Sequence, residues 1–157
     1  MLFYYVDTSA LAKHYLPETG SEWIAALLAS EPVTMSVLAV TELASVLARR
    51  TREGDLTPQQ RDTIFRRFLQ DSQGVPGYVM LGLTQRVSHE ATRLLLTSPL
   101  SIHLRTLDAL HLASARLAFA RARRRGVANA YLVTSDRTLA AAASWSGFQA
   151  INPENFP

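Results

Sequence analysis

Residues 5–13 read YVDTSALAK and follow the apolar start MLFY. Residues 2–6 (LFYYV) are aromatic, aliphatic and β-branched, which predicts a short buried strand. The strand is followed directly by a carboxylate, Asp7, and then by two short polar residues that suit the start of a helix. An aspartate in this position is either the N-cap of that helix or a ligand for a positively charged group.

Short apolar runs alternate with helical patterns along the rest of the chain. Further strands are predicted at residues 33–36, 78–83, 130–134 and 148–152, with a Pro76-Gly77 turn before the third strand. Helices are predicted at about 8–15, 20–30, 57–72, 84–97 and 106–124. A further helix follows the second strand and ends at about residue 52, and a short one follows Arg137. This alternation predicts a three-layer α/β/α sandwich with a central parallel sheet of about five short strands.

The composition limits the classes of protein to which the chain can belong. The 157 residues are 48% hydrophobic and 18% charged, which supports a packed core and a single domain over residues 1–157. Sixteen Lys and Arg against thirteen Asp and Glu give a net charge of +3, which is compatible with a polyanionic partner. The absence of cysteine excludes disulfides, thiolate nucleophiles and Cys-ligated zinc.

Targeting signals are not evident in the sequence. The N-terminus carries no basic region, and Asp7 interrupts the first apolar run too early for a signal peptide. No uncharged apolar stretch approaches the roughly 20 residues that would span a bilayer. We therefore expect a soluble, cytoplasmic protein.

Four carboxylates follow predicted strands or begin predicted helices. Asp7 follows the first strand, Asp136 follows the fourth, Glu42 lies early in the helix after the second, and Asp108 lies near the start of the long sixth helix. Ligands of parallel sheets collect beyond the carboxyl ends of the strands. We therefore expect all four acids at one edge of the sheet.

Four acids in one pocket would repel one another and raise each other's pKa unless a cation were present. Mg²⁺ and Mn²⁺ are the natural complement because they prefer carboxylate oxygen and water. Such a site can activate water and offset charge on a phosphodiester. The sequence offers no competing nucleophile, since it has no Cys and no Ser in a G-x-S-x-G context.

Each acid also has a purely structural interpretation. Asp7 and Asp136 can be helix N-caps, and Asp136 can form a surface ion pair with Arg137. Asp108 can complement a helix dipole, and a helical glutamate such as Glu42 is often only solvated. The common position of the four acids at one edge of the predicted sheet favours a shared site over four separate structural roles.

Four segments together resemble the PIN-domain ribonucleases, and among them the VapC-like toxins of prokaryotic toxin–antitoxin pairs: YVDTSALAKHYLPE, SVLAVTELASVLAR, LRTLDALHLASA and YLVTSDRTLAAAA. The resemblance implies a metal-dependent endoribonuclease that uses Mg²⁺ or Mn²⁺. It implies that Asp7 and Asp108 are the main metal ligands and that Glu42 and Asp136 complete the cluster, directly or through water. It also implies that the hydroxyls of Ser9 and Ser135 orient the acids.

The same resemblance implies partners: an RNA substrate, a second copy of the chain in a homodimer, and an antitoxin. A positively charged antitoxin residue entering the acidic pocket would compete there with metal and substrate. Other classes of function fit less well. A phosphoryl-accepting receiver module needs a late lysine, whereas no lysine follows Lys13, and a D-x-D phosphatase needs an aspartate where Ser9 stands. A catalytically silent module that binds RNA or protein stays an alternative.

Basic residues and one histidine complete the candidates. Four basic residues lie near the acids in sequence, and each can guide a substrate or be an ordinary surface charge: Lys13, Arg49, Arg52 and Arg105. The RARRR segment at 121–125 lies about 20–25 Å from Asp108 at ~1.5 Å per helical residue. It can complement the helix dipole, or it can contact a long RNA or a partner. His111, three residues after Asp108, is expected to be a hydrogen-bonded core residue that can also brace the acidic site.

Overall fold

The computed structural model describes residues 2–74 and 78–156, so the predicted Pro76-Gly77 turn lies outside the described residues. Within them the chain forms five strands: β1 (Leu2–Val6), β2 (Val33–Ser36), β3 (Val79–Leu81), β4 (Asn129–Val133) and β5 (Gln149–Ile151). The helices of the same residues are α1 (Thr8–Tyr15), α2 (Ser21–Ser30), α3 (Leu38–Arg52), α4 (Pro58–Asp71), α5 (Gln85–Thr97), α6 (Thr106–Arg123) and α7 (Arg137–Trp145). A 3₁₀ turn follows at Pro153–Asn155.

The strands form one sheet in the order β3-β2-β1-β4-β5, and every pair is parallel. The central strand β1 pairs over its whole length with β4, from Leu2↔Asn129 to Val6↔Val133. All carboxyl ends therefore meet at one edge of the sheet, with the ends of β1, β2 and β4 side by side. The predicted parallel sheet is confirmed.

Helices cover both faces of the sheet. Alternate side chains of β1 enter two separate hydrophobic clusters, Phe3 and Tyr5 on one face and Val6 on the other. The first cluster packs against α5, α6 and α7, and the second against α1 to α4. The predicted three-layer α/β/α sandwich is thus confirmed. None of the helices in the described ranges is long and apolar enough to cross a membrane.

Local signals in the sequence account for most element boundaries. Thr57 caps α4 in a capping box with Gln60, and Pro58 takes the first helical position. Gly54 follows α3 with a φ of +84°, a backbone conformation that glycine adopts without steric cost. The prediction for the third strand, residues 78–83, was too long. This strand pairs only with β2, and the pairing stops at Ser36↔Leu81, where β2 itself ends.

Candidate functional site

A cavity of about 680 Å³ lies at the carboxyl edge of the sheet. All four predicted acids line it, although they come from four different parts of the chain. Asp7 lies between β1 and α1, Glu42 on α3, Asp108 on α6, and Asp136 between β4 and α7. We call this cavity, with the four carboxylates that line it, the acidic cavity.

Asp7 is buried, with 5% of its surface exposed, and its carboxylate accepts several hydrogen bonds. The backbone N–H of Ala10 donates to Oδ1 at 3.1 Å, so Asp7 is the N-cap of α1. The Ser9 hydroxyl lies 2.9 and 3.1 Å from the two carboxylate oxygens, and the Thr134 hydroxyl donates to Oδ2 at 3.0 Å. Burial raises the pKa of Asp7, while the charge of His111 and these hydrogen bonds act in the opposite direction.

Glu42 is held by side chains of two other helices. The hydroxyl of the buried Thr8 donates to Oε2, and Nε2 of His111 lies 2.6 Å from the same oxygen. Burial alone would raise the pKa of Glu42, but the hydrogen bonds and the charge of His111 outweigh it and hold this pKa below its usual value. Glu42 is therefore favoured as a carboxylate.

His111 links Glu42 to the sheet. Its Nδ1 lies 2.8 Å from the Tyr5 hydroxyl, and Tyr5 is fully buried in β1. Burial lowers the pKa of His111, but the hydrogen bond to Glu42 and the charges of Asp7, Glu42 and Asp108 raise it above its usual value. The prediction of a hydrogen-bonded core histidine is confirmed. The acid that it braces is Glu42, which is remote in sequence, and not the neighbouring Asp108.

Asp108 and Asp136 share one partner, Arg105. The backbone N–H of Arg105 donates to Oδ2 of Asp108 at 3.1 Å, and its Nε lies 3.2 Å from the same oxygen. Its Nη2 lies 2.9 Å from Oδ2 of Asp136. Asp136 also caps α7, because Oδ1 accepts from the backbone N–H of Leu139 at 2.9 Å. The Arg105 side chain is 71% exposed and spans the two acids at the rim of the cavity.

The two serines occupy different surroundings. Ser9 contacts Asp7, as expected, and also accepts from the backbone N–H of Ser135 at 2.9 Å. The hydroxyl of Ser135 donates to Asn152 at 3.2 Å, so the expectation that it orients an acid was wrong. Thr134 does so instead: its hydroxyl donates to Asp7 and accepts from the backbone N–H of Asp136 at 3.0 Å.

Among the predicted substrate-guiding cations, Arg49 and Arg105 line the acidic cavity. Lys13 is only 4% exposed and pairs with Glu18 at 3.2 Å and Glu154 at 2.9 Å, so it is neither an open surface charge nor part of the cavity lining. Arg52 is exposed at the end of α3 and is not part of the cavity lining.

The cavity has the donor chemistry of a hard divalent cation, but not a preformed cage. Within residues 2–74 and 78–156, no three His, Asp or Glu side chains lie close enough together to hold a metal ion. Mg²⁺ commonly keeps several waters and binds through only one or two carboxylates together with substrate phosphates. Carboxylates lining one open cavity fit that mode of binding, whereas they do not fit an all-protein site.

Similarity to known proteins identifies the family of the chain. None of the curated proteins matches the chain. Among solved structures, FitAcB from Neisseria gonorrhoeae aligns with a TM-score of 0.65 and 18% identity over 96% of this chain and 98% of that one. VapC20 from Mycobacterium tuberculosis, described as a Sarcin-Ricin loop cleaving toxin, aligns with a TM-score of 0.57 and 20% identity over 88% and 94% of the two chains.

A third structure, VapBC2 from Rickettsia felis bound to a DNA fragment from their promoter, aligns with a TM-score of 0.59 and 13% identity over 97% of each chain. At these identities the solved structures show the fold alone. The family is shown by a sequence-family model, the PIN domain, which matches residues 4–144 and so spans most of the chain, including all four acids. The chain therefore belongs to the PIN-domain family.

Proposed function

We propose that this protein is a metal-dependent endoribonuclease and the toxin of a toxin–antitoxin pair, acting in the cytoplasm as one domain over residues 1–157. The observation that carries the proposal is the convergence of Asp7, Glu42, Asp108 and Asp136 in one cavity of a PIN-family chain. The description of VapC20 as a toxin that cleaves the Sarcin-Ricin loop supports the choice of RNA, because metal chemistry alone does not distinguish RNA from DNA.

The acidic cavity would hold Mg²⁺ or Mn²⁺. Asp7 and Asp108 would be the main ligands, and Glu42 and Asp136 would complete the set directly or through water. A bound divalent ion supplies an activated water and charge compensation for the phosphodiester.

The residues around the acids would keep the carboxylates in place. Ser9 and Thr134 donate to Asp7, so its carboxylate cannot rotate freely. His111 and Thr8 both hold Oε2 of Glu42, while Oε1 has no side-chain hydrogen bond within the described residues. Partners of this kind orient metal ligands and tune their basicity.

The proposed protein partners are an antitoxin and a second copy of the chain. FitAcB and VapBC2 are named as complexes, and VapBC2 was bound to promoter DNA, which supports an antitoxin here. Two large apolar side chains are open to solvent, Leu96 near the end of α5 at 81% exposed and Leu100 on the α5–α6 connection at 97% exposed. We propose this part of the surface for contact with another protein, because the two exposed leucines lie close together in the sequence.

Nuclease activity is tested by incubating the wild type, Asp7→Asn, Asp108→Asn and Asp62→Asn with a mixture of structured RNAs in Mn²⁺ or in EDTA. Asp62 is an exposed α4 carboxylate outside the acidic cavity and serves as the matched control. We expect cleavage by wild type and Asp62→Asn in Mn²⁺ only, and none by the other two variants. Cleavage in EDTA, or by folded Asp7→Asn, would contradict the proposal. Binding of intact RNA with no cleavage by wild type would indicate the catalytically silent module.

The toxin role is tested separately by expressing the chain without an antitoxin. We expect growth arrest with the wild type and with Asp62→Asn, and growth with Asp7→Asn at the same soluble level. Normal growth with soluble wild type would contradict the toxin role while leaving the nuclease chemistry to the cleavage assay.

A further inference from the structure

Four arginines at the end of α6 form a surface remote from the acidic cavity. The helix ends at Arg123, and the chain continues through Arg124 and Arg125 before β4 begins at Asn129. Together with Arg121, all of these arginines are exposed. We call Arg121, Arg123, Arg124 and Arg125 the arginine surface.

Charge is distributed unevenly along the chain. Between Asp108 and Asp136 there is no acidic residue, while five arginines occur there: Arg116 and the arginine surface. Setting these five aside leaves 11 basic residues against 13 acidic ones. The positive net charge of the protein thus comes from this one segment, which is a sequence-level sign of interaction with a polyanion.

Ion pairing divides the arginines of the described residues into two groups, and this surface belongs to the unpaired group together with others such as Arg66 and Arg86. Arg50, Arg61, Arg93, Arg105 and Arg116 each form an ion pair with Asp or Glu at 3.2 Å or less. In the part of the chain that the structure describes, no member of the arginine surface forms one. The helix dipole favours cations at the end of α6, which accounts for Arg121, Arg123 and the C-cap Arg124 but not for Arg125 beyond it.

Neutral hydrogen-bonding groups lie beside the cations. A cavity of about 570 Å³ is lined by Arg123, by the exposed amides of Asn129 and Gln149, and by Phe119. The guanidinium of Arg123 lies 6.0 Å from the Phe119 ring centroid, at the outer limit of a cation–π contact. Guanidinium and amide donors together suit phosphate and sugar oxygens.

The position of the arginine surface complements that of the acidic cavity. Asp108 lies in the first turn of α6 at the carboxyl edge of the sheet, whereas the end of α6 leads into the start of β4 at the opposite edge. At ~1.5 Å per residue, Asp108 and Arg124 are about 24 Å apart along the helix. A nucleic-acid strand rising ~3.4 Å per nucleotide would cover that distance in about seven nucleotides.

We propose that the arginine surface binds phosphates of an RNA strand whose scissile bond lies at the acidic cavity. This inference rests on the proposed ribonuclease function for the identity of the polyanion. Without a metal ion the acidic cavity is lined by more carboxylates than arginines, so part of the attraction for RNA has to come from elsewhere on the molecule. Arginines about 24 Å away supply it without neutralising the carboxylates, and only an RNA longer than about seven nucleotides can reach both.

The test measures RNA binding in EDTA, so that its result does not depend on cleavage. Fluorescent single-stranded RNAs of 30 and 4 nucleotides are titrated with the wild type, with the double variant Arg124→Gln/Arg125→Gln, and with the control Arg66→Gln/Arg86→Gln. The control removes two exposed arginines, from α4 and α5, that line neither cavity. Duplex DNA of 30 base pairs is a further ligand.

For the 30-nucleotide RNA we expect the double variant to bind about five- to twentyfold more weakly at low salt. The slope of log K against log salt should become less negative by about 1.4, since each phosphate contact on a single strand contributes ~0.7. The control should change less than about twofold for either RNA, and the 4-nucleotide RNA, which makes fewer phosphate contacts, should bind the wild type more weakly than the 30-nucleotide RNA and lose affinity in the double variant. Equal losses in both double variants, no loss in either, or a loss confined to duplex DNA would overturn the proposal. Failure of the nuclease proposal would instead appear as absent cleavage with this binding pattern intact.

Discussion

The two halves of the acidic cavity are held in different ways. Asp7 and Glu42, which we call the inner pair, accept hydrogen bonds from uncharged hydroxyls and from His111, all provided by buried or half-buried side chains. Asp108 and Asp136, the outer pair, are joined by Arg105, whose side chain is 71% exposed.

The two pairs differ in how mobile their partners are. Hydroxyl donors and the buried His111 fix the direction of the inner carboxylates, and the charge of His111 acts on both of them. Arg105 compensates charge on the outer pair, but exposed ion pairs are weak and long side chains exchange partners readily. We therefore expect the inner pair to provide the fixed part of a metal site and the outer pair its adjustable part.

The largest effect is expected from Asp7→Asn. Asparagine caps helices as well as aspartate does, so α1 should stay intact. Because burial raises the pKa of Asp7, its charge is costly in the folded state, and the variant should unfold at a temperature no lower than the wild type. Affinity for Mn²⁺, measured by calorimetry, should nevertheless fall by at least about a hundredfold, since loss of a residue that merely supports a ligand already costs ten- to hundredfold.

Asp62→Asn is the control for that measurement and should bind Mn²⁺ like the wild type. Equal binding by Asp7→Asn, with circular dichroism showing that both proteins are folded, would reduce Asp7 to a helix cap. The distinction between the inner and outer pairs would then lose its functional meaning.

A smaller effect, about ten- to hundredfold on cleavage, is expected from His111→Leu, because Glu42 loses the partner that orients it. The substitution also leaves the buried Tyr5 hydroxyl without its partner, which should lower the free energy of unfolding by about 1–3 kcal/mol. Adding Tyr5→Phe should restore part of the stability, measured by urea unfolding, and none of the activity. Joint recovery of stability and activity would mean that His111 acts only through folding.

The sequence was sufficient to predict the fold because several signals agreed. Apolar runs gave the strands, Thr57 with Pro58 gave the start of α4, and the strand–helix alternation gave the parallel sheet. Asp7 and Asp136 are helix N-caps in the structure and Asp108 lies in the first turn of α6, so these structural interpretations and the common position at one edge hold together. A capping residue at the carboxyl end of a parallel strand necessarily faces the place where ligands bind.

The partners of the acids could not be predicted in the same way. Whether Thr134 or Ser135 points at Asp7 depends on how the chain turns after β4, which composition does not encode. The His111–Glu42 contact joins residues 69 positions apart and depends on how α3 and α6 pack. Arg105 was recognised as a basic residue near an acid. Its contact with Asp136 could not be predicted without knowing that β4 lies beside β1 in the sheet.

Thr134 and Ser135 offer a matched pair of adjacent hydroxyls. Thr134→Val removes a donor to Asp7 and an acceptor for the backbone of Asp136, and should reduce cleavage by about tenfold, the cost of a hydrogen bond to a charged group. Ser135→Ala removes only a contact with Asn152 and should leave the rate within about twofold. Cleavage rates under single-turnover conditions compare the two, and a larger loss in Ser135→Ala would restore the role that the sequence first assigned to it.

The smallest effect is expected from Arg105→Gln, and whether the affinity for Mn²⁺ rises or falls shows the role of Arg105. Arg105→Gln keeps the backbone hydrogen bond to Asp108 but removes the cation that spans the outer pair. If Arg105 competes with metal, affinity for Mn²⁺ should rise by about two- to fivefold, the range for exposed ion pairs. Arg105→Lys should lie between the two, because an ammonium keeps the charge but lacks the planar fork that reaches both acids. Arg86→Gln, an exposed arginine on α5, serves as the control in the same calorimetry and should not change the affinity. A fall in affinity in Arg105→Gln would instead mean that Arg105 positions Asp108 and Asp136 for the metal, and the outer pair would then be as fixed as the inner one.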